Sequence, residues 1–375
     1  MLDKKTMVII IANYAADYAG NFIESLNALE SKLKQKNCRV EYVFPKNAPF
    51  KKWHKHYKSN HIVHTTEFVS GSLTQCLHNI INNHINEHII IHSHFISPAL
   101  VHKIEKNIKE YDYEIVFQEH MRLDYSPKNH HIAKKIRNFL KSFIIRYIAK
   151  RWKLIAVSDA VYSDLVSIEH TSKNIFLIKN AISTNRLDRI YNDEYNNLNA
   201  LNDVIIFGTD FRRKGVDIAI DAIKQSSYNL RLIILTHNEE DTIRQLSKTT
   251  ENWEKYAVVR HVTNHIQNVY NNSLCFISPS RSEAFGYSVV EAAYCETQVI
   301  ASDIPGQNSL KDIPGILWIE NENSVALSKA IDKCFYRYQK QLDYLKKIKK
   351  VQKEYIRNNY NLNTWCDEII KVYEA

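Results

Sequence analysis

The stretch SLCFISPSRSEAFGYSVVEA, residues 273–292, decides the fold. Its first part is a short continuous apolar run. Such a run suits a strand buried on both faces, the mark of a parallel sheet flanked by helices. After Ser278 comes a polar loop, and Gly286 or Tyr287 opens a helix. Strand, loop, helix is half of a βαβ unit, and the same rhythm recurs outward in both directions. Upstream stand MVIIIAN (7–13), CRVEYVFP (38–45), HIVHTT (61–66), HIIIHSHF (88–95), YEIVFQEH (113–120), KLIAVSD (153–159), NIFLIKN (174–180), DVIIFGTD (203–210), LRLIILTH (230–237) and YAVVRHV (256–262). Downstream stand QVIASD (298–303) and GILWIE (315–320). The polar stretch 183–203 breaks the rhythm and reads as a linker. The expectation is an α/β chain of two doubly wound, Rossmann-like domains, 1–182 and 183–359. A last helix within 360–375 is free to pack back on the first.

Length and composition bound the function classes. The 375 residues suit about two domains. A hydrophobic content of 45% excludes disorder as a class. No apolar run is long enough to cross a bilayer. The start, MLDKKTMVIII, has too short an apolar core for a signal peptide and reads as a first strand, so a cytoplasmic location is expected. Six cysteines, at 38, 76, 275, 295, 334 and 366, form no CxxC pair and read as buried small hydrophobes. Only 7 glycines occur, so the position of each one matters.

In open α/β sheets ligands sit beyond the carboxyl ends of strands. Within 279–292, Glu283 and Glu291 are separated by seven residues, and Gly286 lets backbone approach a ligand. The amides of Tyr287, Ser288 and Val289, at the positive end of a helix dipole, suit an anion such as a diphosphate. A second constellation is FGTDFRRKGVDIAIDAI (207–223). Gly208 and Gly215 flank three cations, Arg212, Arg213 and Lys214, at a loop-to-helix junction. Such a set stabilises an anion whose charge grows during a reaction.

The pattern E-x7-E within PSRSEAFGYSVVEA resembles that of the GT-B glycosyltransferases of family four, retaining enzymes that use nucleotide sugars. The resemblance extends through SDIPGQNSL (302–310) and IKNAISTNRL (178–187). It implies a GT-B fold, with the two domains facing a central cleft. It implies that Glu283 contacts the donor sugar, with Phe285, Gly286, Tyr287 and Ser288 beside it, and that Glu291 accepts hydrogen bonds from the donor ribose. Lys214 and Gly215 match the family's Lys-Gly. The family's arginine position falls on Thr209, leaving Arg212 or Arg213 to reach the phosphate. His120 resembles a histidine that many members carry at this strand end. Gly20 is what remains of the family's glycine-rich loop, and it makes the backbone at Gly20 and Asn21 a candidate phosphate or acceptor contact.

By this resemblance the chain moves a sugar from a nucleotide sugar, a UDP-sugar first, to a saccharide acceptor, lipid-linked and serving cell-surface polysaccharide synthesis. No cofactor or metal is expected. His92 and His94 share one strand face, but no third ligand stands at metal-like spacing, and no Asp-x-Asp occurs. The rivals are a sugar-nucleotide epimerase of the same architecture, an inactive donor-binding partner and a basic membrane scaffold. Between Lys128 and Lys153 stand nine Lys/Arg and no Asp/Glu. With Ile132, Ile136, Phe139, Phe143, Tyr147 and Ile148 they read as a basic amphipathic helix for an anionic membrane surface at the inner face of the cell membrane. PFKKWHKHYK (49–58) adds aromatic and basic residues. No nucleic-acid motif accompanies the charge.

Overall fold

A computed structural model describes residues 5–122, 142–169, 173–189 and 201–375. The chain divides into two units. The first comprises Met1–Ala181 with Leu362–Ala375, and the second Ile182–Asn361.

The first unit is built on a seven-stranded sheet in the order β3-β2-β1-β4-β5-β6-β7. Its strands are β1 Thr6–Ala12, β2 Arg39–Pro45, β3 Ile62–Thr66, β4 His88–His94, β5 Tyr113–Glu119, β6 Lys153–Ala156 and β7 Ile175–Leu177. All pairs are parallel. Every residue of β1 is buried, as the unbroken apolar run requires. The helix Gly20–Gln35 lays Leu26, Leu29 and Leu33 on this sheet, and the helix Leu362–Glu374 adds Trp365, Ile369 and Ile370 to the same core. Tyr373 reaches His92 Nδ1 at 2.7 Å, and Lys32 holds Asp367 at 2.5 Å.

The second unit carries six parallel strands in the order β10-β9-β8-β11-β12-β13. They are β8 Asp203–Phe207, β9 Arg231–Thr236, β10 Ala257–His261, β11 Cys275–Ser278, β12 Gln298–Ser302 and β13 Leu317–Ile319. The strand order reverses between β8 and β11, which pair through Cys275 with Val204 and Phe276 with Ile205. In open α/β sheets such a switch point, beyond the carboxyl ends of the strands, is where ligands bind. That single pairing brings residues 208–215 and 279–291 together.

Two expectations change. Residues 183–189 are not a linker: Thr184–Leu187 form a helical turn whose side chains engage the second unit, while 190–200 lie outside the described residues. The basic helix is only partly visible, because Lys128, Lys134, Lys135, Arg137 and Lys141 lie outside the described residues. Within the remainder, Lys153 opens β6 and pairs with Glu114, and Arg151 pairs with Glu105 at 2.8 Å, so these two cations are spent on carboxylates. After β13 the second unit ends in two helices, Ser324–Lys340 and Leu342–Asn359, parted at Gln341. All six cysteines are free thiols, five of them buried. Among the described residues no helix is long and apolar enough to cross a membrane.

The first unit also carries paired carboxylates near its sheet edge. Glu30 accepts from His61 at 2.5 Å and Glu41 from His64 at 2.6 Å and His84 at 2.9 Å. Burial pushes both carboxyls up, but these partners outweigh it and hold them below the usual range. A depressed folded pKa stabilises above the unfolded value of about 4.3 and is lost as pH falls through the folded value. Thermal unfolding from pH 7 down to pH 3 is therefore expected to weaken this unit at the acid end. Glu41→Gln removes part of that slope; an unchanged slope counts against the pairing.

Candidate functional site

Glycines shape the loop that follows β8. At Gly208 an added Cβ would sit 2.4 Å from Ile234 Cγ2, so a side chain does not fit where the chain leaves β8. Asp210 adopts a left-handed backbone, φ 62°, and starts the helical turn Phe211–Lys214. Arg212, Arg213 and Lys214 stand in this turn, directly before Gly215, the N-cap of the longer helix Val216–Gln225. Gly215, φ 73°, ends the turn; its Cβ would fall 2.1 Å from the Pro279 carbonyl oxygen. The basic turn is thus pressed against the loop that follows β11.

Arg281 fastens the two loops. Its backbone N–H donates to the Arg213 carbonyl at 2.8 Å. Its guanidinium grips both Asp217 oxygens, at 2.8 and 2.9 Å, and Glu322 at 2.9 Å. A bidentate fork of this kind fixes orientation as well as distance. Reading by motif passed over Arg281 and Asp217, because an ion pair 64 residues apart leaves no local pattern.

Glu283 is the convergence point. Lys214 Nζ donates to Glu283 Oε1 at 2.6 Å, and Arg213 Nη1 lies 3.2 Å from Oε2. Ser280 Oγ donates to Oε1 at 2.9 Å. Burial works against the charged carboxylate, yet the two cations and the hydroxyl outweigh it and hold Glu283 below the ordinary carboxylate range. Behind it runs a buried chain of donors. Gln307 Nε2 donates to Ser278 Oγ at 3.0 Å, and Ser278 and Ser280 hydroxyls meet at 3.3 Å. With the Gln307 amide as first donor, each hydroxyl proton points on toward Glu283, and aligned donors reinforce one another.

Gly306 decides where Glu283 sits. A Cβ there would lie 1.5 Å from the Glu283 carbonyl oxygen and 2.5 Å from its carbon. Backbone cannot yield to that without moving the loop. Gly306→Ala is expected to lower the unfolding free energy by about 1–3 kcal/mol. Gly71→Ala, whose Cβ meets nothing within 4 Å, serves as the control and should be neutral or slightly stabilising. Equal melting curves for wild type and Gly306→Ala would show that the loop is slack.

Arg212, Arg213, Lys214 and Arg281 are matched by Asp210, Asp217, Glu283 and Glu322. Four cations meet four carboxylates, so the basic turn is charge-balanced. Lys214 keeps donors beyond the one given to Glu283, since an ammonium has three and a guanidinium five. An anion can share these cations without displacing Glu283. Of the two arginines left open, Arg213 stands beside Lys214 at Glu283, whereas Arg212 is 59% exposed and lies 4.0 Å from Asp217.

Glu291 lies in the second turn of the helix Tyr287–Tyr294 and is buried. Arg186, from the stretch read as linker, hydrogen-bonds its Oε1. Burial raises the Glu291 carboxyl above its ordinary value, with Arg186 pulling the other way. Arg186 is the largest omission of the motif reading; it stood inside IKNAISTNRL without a role. Gly286, φ 105°, precedes the helix. The Val289 N–H is not presented outward, because it donates to the Gly286 carbonyl at 3.0 Å. Tyr287 and Ser288 are partly exposed in the first turn. Phe285 is a correction: its ring is buried, 5.3 Å from Tyr287 and 6.0 Å from Tyr360, so it packs and does not line a binding surface. An apolar ring between polar residues gains more from burial than from exposure.

In the first unit, His120 follows β5 and stacks on Phe95 at 4.1 Å. His94 Nδ1 lies 3.1 Å from His120 Nε2. Burial pushes His92 and His120 down to about 3 and His94 well below its usual value. All three are therefore neutral at ordinary pH, and the His94–His120 contact holds one N–H between two nitrogens. Gly20 has φ 55° and begins its helix. The Asn21 side chain is buried and donates to the Ala181 carbonyl at 2.6 Å, which ties the start of this helix in place.

Residues 191–352 match the family model "Glycosyl transferases group 1". An uncharacterized glycosyltransferase of Methanocaldococcus jannaschii is 30% identical over 165 residues, which is 41% of this chain and 41% of that protein. Solved structures align over nearly the whole chain. A glycosyltransferase from Rickettsia africae aligns with TM-score 0.76 at 18% identity, covering 99% of this chain and 98% of its own. Sucrose-phosphate synthase of Thermosynechococcus elongatus reaches 0.77 at 15% identity, covering 99% and 98%. HepE of Anabaena, solved with UDP, reaches 0.73 at 15% identity, covering 98% and 99%. These likenesses establish a two-domain, Rossmann-like GT-B fold.

Proposed function

We propose that this GT-B chain, whose second unit matches the group 1 glycosyl transferases, is a retaining glycosyltransferase of family four. It transfers a sugar from a nucleoside diphosphate sugar to a saccharide acceptor. The observation that carries the reading is Lys214 Nζ at 2.6 Å from Glu283, with Arg213 beside it, at the carboxyl ends of β8 and β11. Two cations held in place by one carboxylate form a preorganised cradle for a diphosphate, whose charge grows as the glycosidic bond breaks.

Each residue has a distinct task. Lys214 and Arg213 take the leaving diphosphate with their remaining donors. The backbone after Gly286 adds the positive end of a helix dipole. Glu283, kept ionised, accepts hydrogen bonds from donor-sugar hydroxyls, and Glu291, oriented by Arg186, accepts from the ribose. In the first unit His120 offers a hydrogen bond to a sugar hydroxyl, and the amides near Gly20 and Asn21 offer further contacts. The acceptor hydroxyl attacks on the face the diphosphate leaves. Its proton passes to the departing phosphate oxygen, so no metal is required. HepE is solved with UDP and with UDP-glucose, which supports uridine as the base. A lipid-linked acceptor, a role in polysaccharide synthesis and a peripheral place at the inner membrane face complete the reading; the basic segment 128–153 and the lysines of 46–58 support them.

A thermal-shift series with nucleoside diphosphates, with and without EDTA, tests the proposal. One diphosphate is expected to raise the melting temperature equally in both conditions. Absence of any shift overturns the donor assignment, and a shift abolished by EDTA overturns the metal-free chemistry. Turnover of donor to an isomer without acceptor would favour the epimerase reading.

A further inference from the structure

The most exposed large hydrophobic residue among those described is Phe50, at 87%. It ends a single 3-10 turn, Ala48–Phe50, between β2 and the helix His54–Asn60. Its neighbours behave oppositely. Ala48, Trp53, His54 and Tyr57 are buried, and the Trp53 ring packs on Phe44 at 5.2 Å and Tyr57 at 5.8 Å. Trp53 Nε1 also donates to the Ala16 carbonyl at 2.9 Å. The base of the turn is therefore rigid, and the Phe50 ring stands out from it with exposed Pro49 beside it.

Lysines flank this ring in the sequence. From Lys46 to Lys58 there are five lysines and no carboxylate. Lys46 pairs with Glu67 at 3.2 Å and Lys51 with Asp17 at 2.7 Å. Lys52, Lys55 and Lys58 are exposed, and among the described residues none forms an ion pair. Lys52 lies 5.2 Å over the Tyr18 ring. An apolar ring projecting from a rigid turn, amid unpaired cations, matches a surface with anions at its top and hydrocarbon just beneath. A solvated basic face explains the lysines but leaves Phe50 without a reason to be bare.

We propose that Phe50 is a wedge that enters an anionic lipid surface while Lys52, Lys55 and Lys58 contact its headgroups. This deepens the membrane reading above and rests on no residue of the donor site. It also places the contact on 46–58, apart from the basic segment 128–153.

Flotation of the full chain with phosphatidylglycerol/phosphatidylcholine vesicles at low salt tests it. Wild type is expected to float, to fail with phosphatidylcholine alone, and to be released by salt. Phe50→Ser is expected to weaken binding about tenfold at unchanged melting temperature, because one aromatic side chain no longer leaves water. The triple change Lys52→Glu, Lys55→Glu, Lys58→Glu abolishes it. In Phe50→Trp, emission from the added indole should shift to the blue on vesicle addition, against the wild-type background. Flotation that ignores Phe50→Ser and the lysine changes overturns the wedge while leaving membrane association through another segment standing. Absence of flotation overturns both. A dimer in light scattering that Phe50→Ser dissolves assigns the ring to a second copy and overturns the lipid assignment.

Discussion

Lys214→Ala is expected to lower turnover by about 10²–10³ while leaving nucleoside diphosphate binding within a few-fold of wild type. The donor diphosphate arrives charged and gains charge as the sugar leaves. A cation fixed at 2.6 Å from Glu283 cannot reorganise during that step and so acts mainly on the transition state. In the variant, Glu283 keeps Arg213 at 3.2 Å and Ser280 at 2.9 Å, so the loop retains two of its three ties. The loss is therefore one of kcat more than of KM. Lys214→Arg should recover part of it, since a guanidinium carries the charge in a different shape. Arg212→Ala, at an exposed position 4.0 Å from Asp217, should stay near wild type. The readout requires no acceptor: release of the diphosphate from a nucleotide sugar by slow hydrolysis suffices. Equal turnover for Lys214→Ala and wild type, with diphosphate binding retained, would mark the chain as a donor-binding partner and not an enzyme.

The largest stability effect is expected from Arg186→Met. Arg186 and Glu291 are both about nine-tenths buried, and their pairing compensates two desolvated charges. Removing one partner strands the other, which costs roughly 3–5 kcal/mol in proteins generally. For a unit of the size of Ile182–Asn361 that is a drop on the order of 10 °C in its melting temperature. Burial already raises the Glu291 carboxyl with Arg186 in place. Without Arg186 it rises further, so the folded variant favours the protonated acid. A raised folded pKa means stability is present below the unfolded value and lost as pH climbs through the folded one. Acidifying from pH 7 toward pH 5 should thus return more stability to Arg186→Met than to wild type, whose Glu291 carboxyl is raised less. The double change Arg186→Met, Glu291→Gln should recover most of it at pH 7. If the single and double variants melt together at every pH, the pair carries no coupling and the account of Glu291 fails.

Much of this architecture was legible because burial writes itself into composition. MVIII and VIIF are strands between two helical layers, and a run without polar alternation fits nothing else of that length. Gly208, Gly215 and Gly286 stood out because so few glycines occur and each one follows or precedes an apolar run. The partners of those elements were not legible. Arg186 lay in a polar stretch that reads as a connector, since nothing in its neighbours announces a carboxylate more than a hundred residues on. Nothing near Arg281 in the chain marks its carboxylate partners Asp217 and Glu322. Phe285 looked like part of a binding motif, yet its ring faces the interior, because a side chain's direction depends on where the following helix packs.

Local chemistry, then, determined which segments are strands and helices, where the backbone needs glycine, and which loops hold charged side chains. Those properties follow from residues near one another in the chain. Only the three-dimensional arrangement decided that β8 pairs with β11, that Lys214 meets Glu283 and that Gly306 presses on its carbonyl. It also decided that four cations are answered by four carboxylates. The reason is geometric: Coulomb attraction and steric fit act over a few ångströms of space, and sequence separation carries no information about that distance.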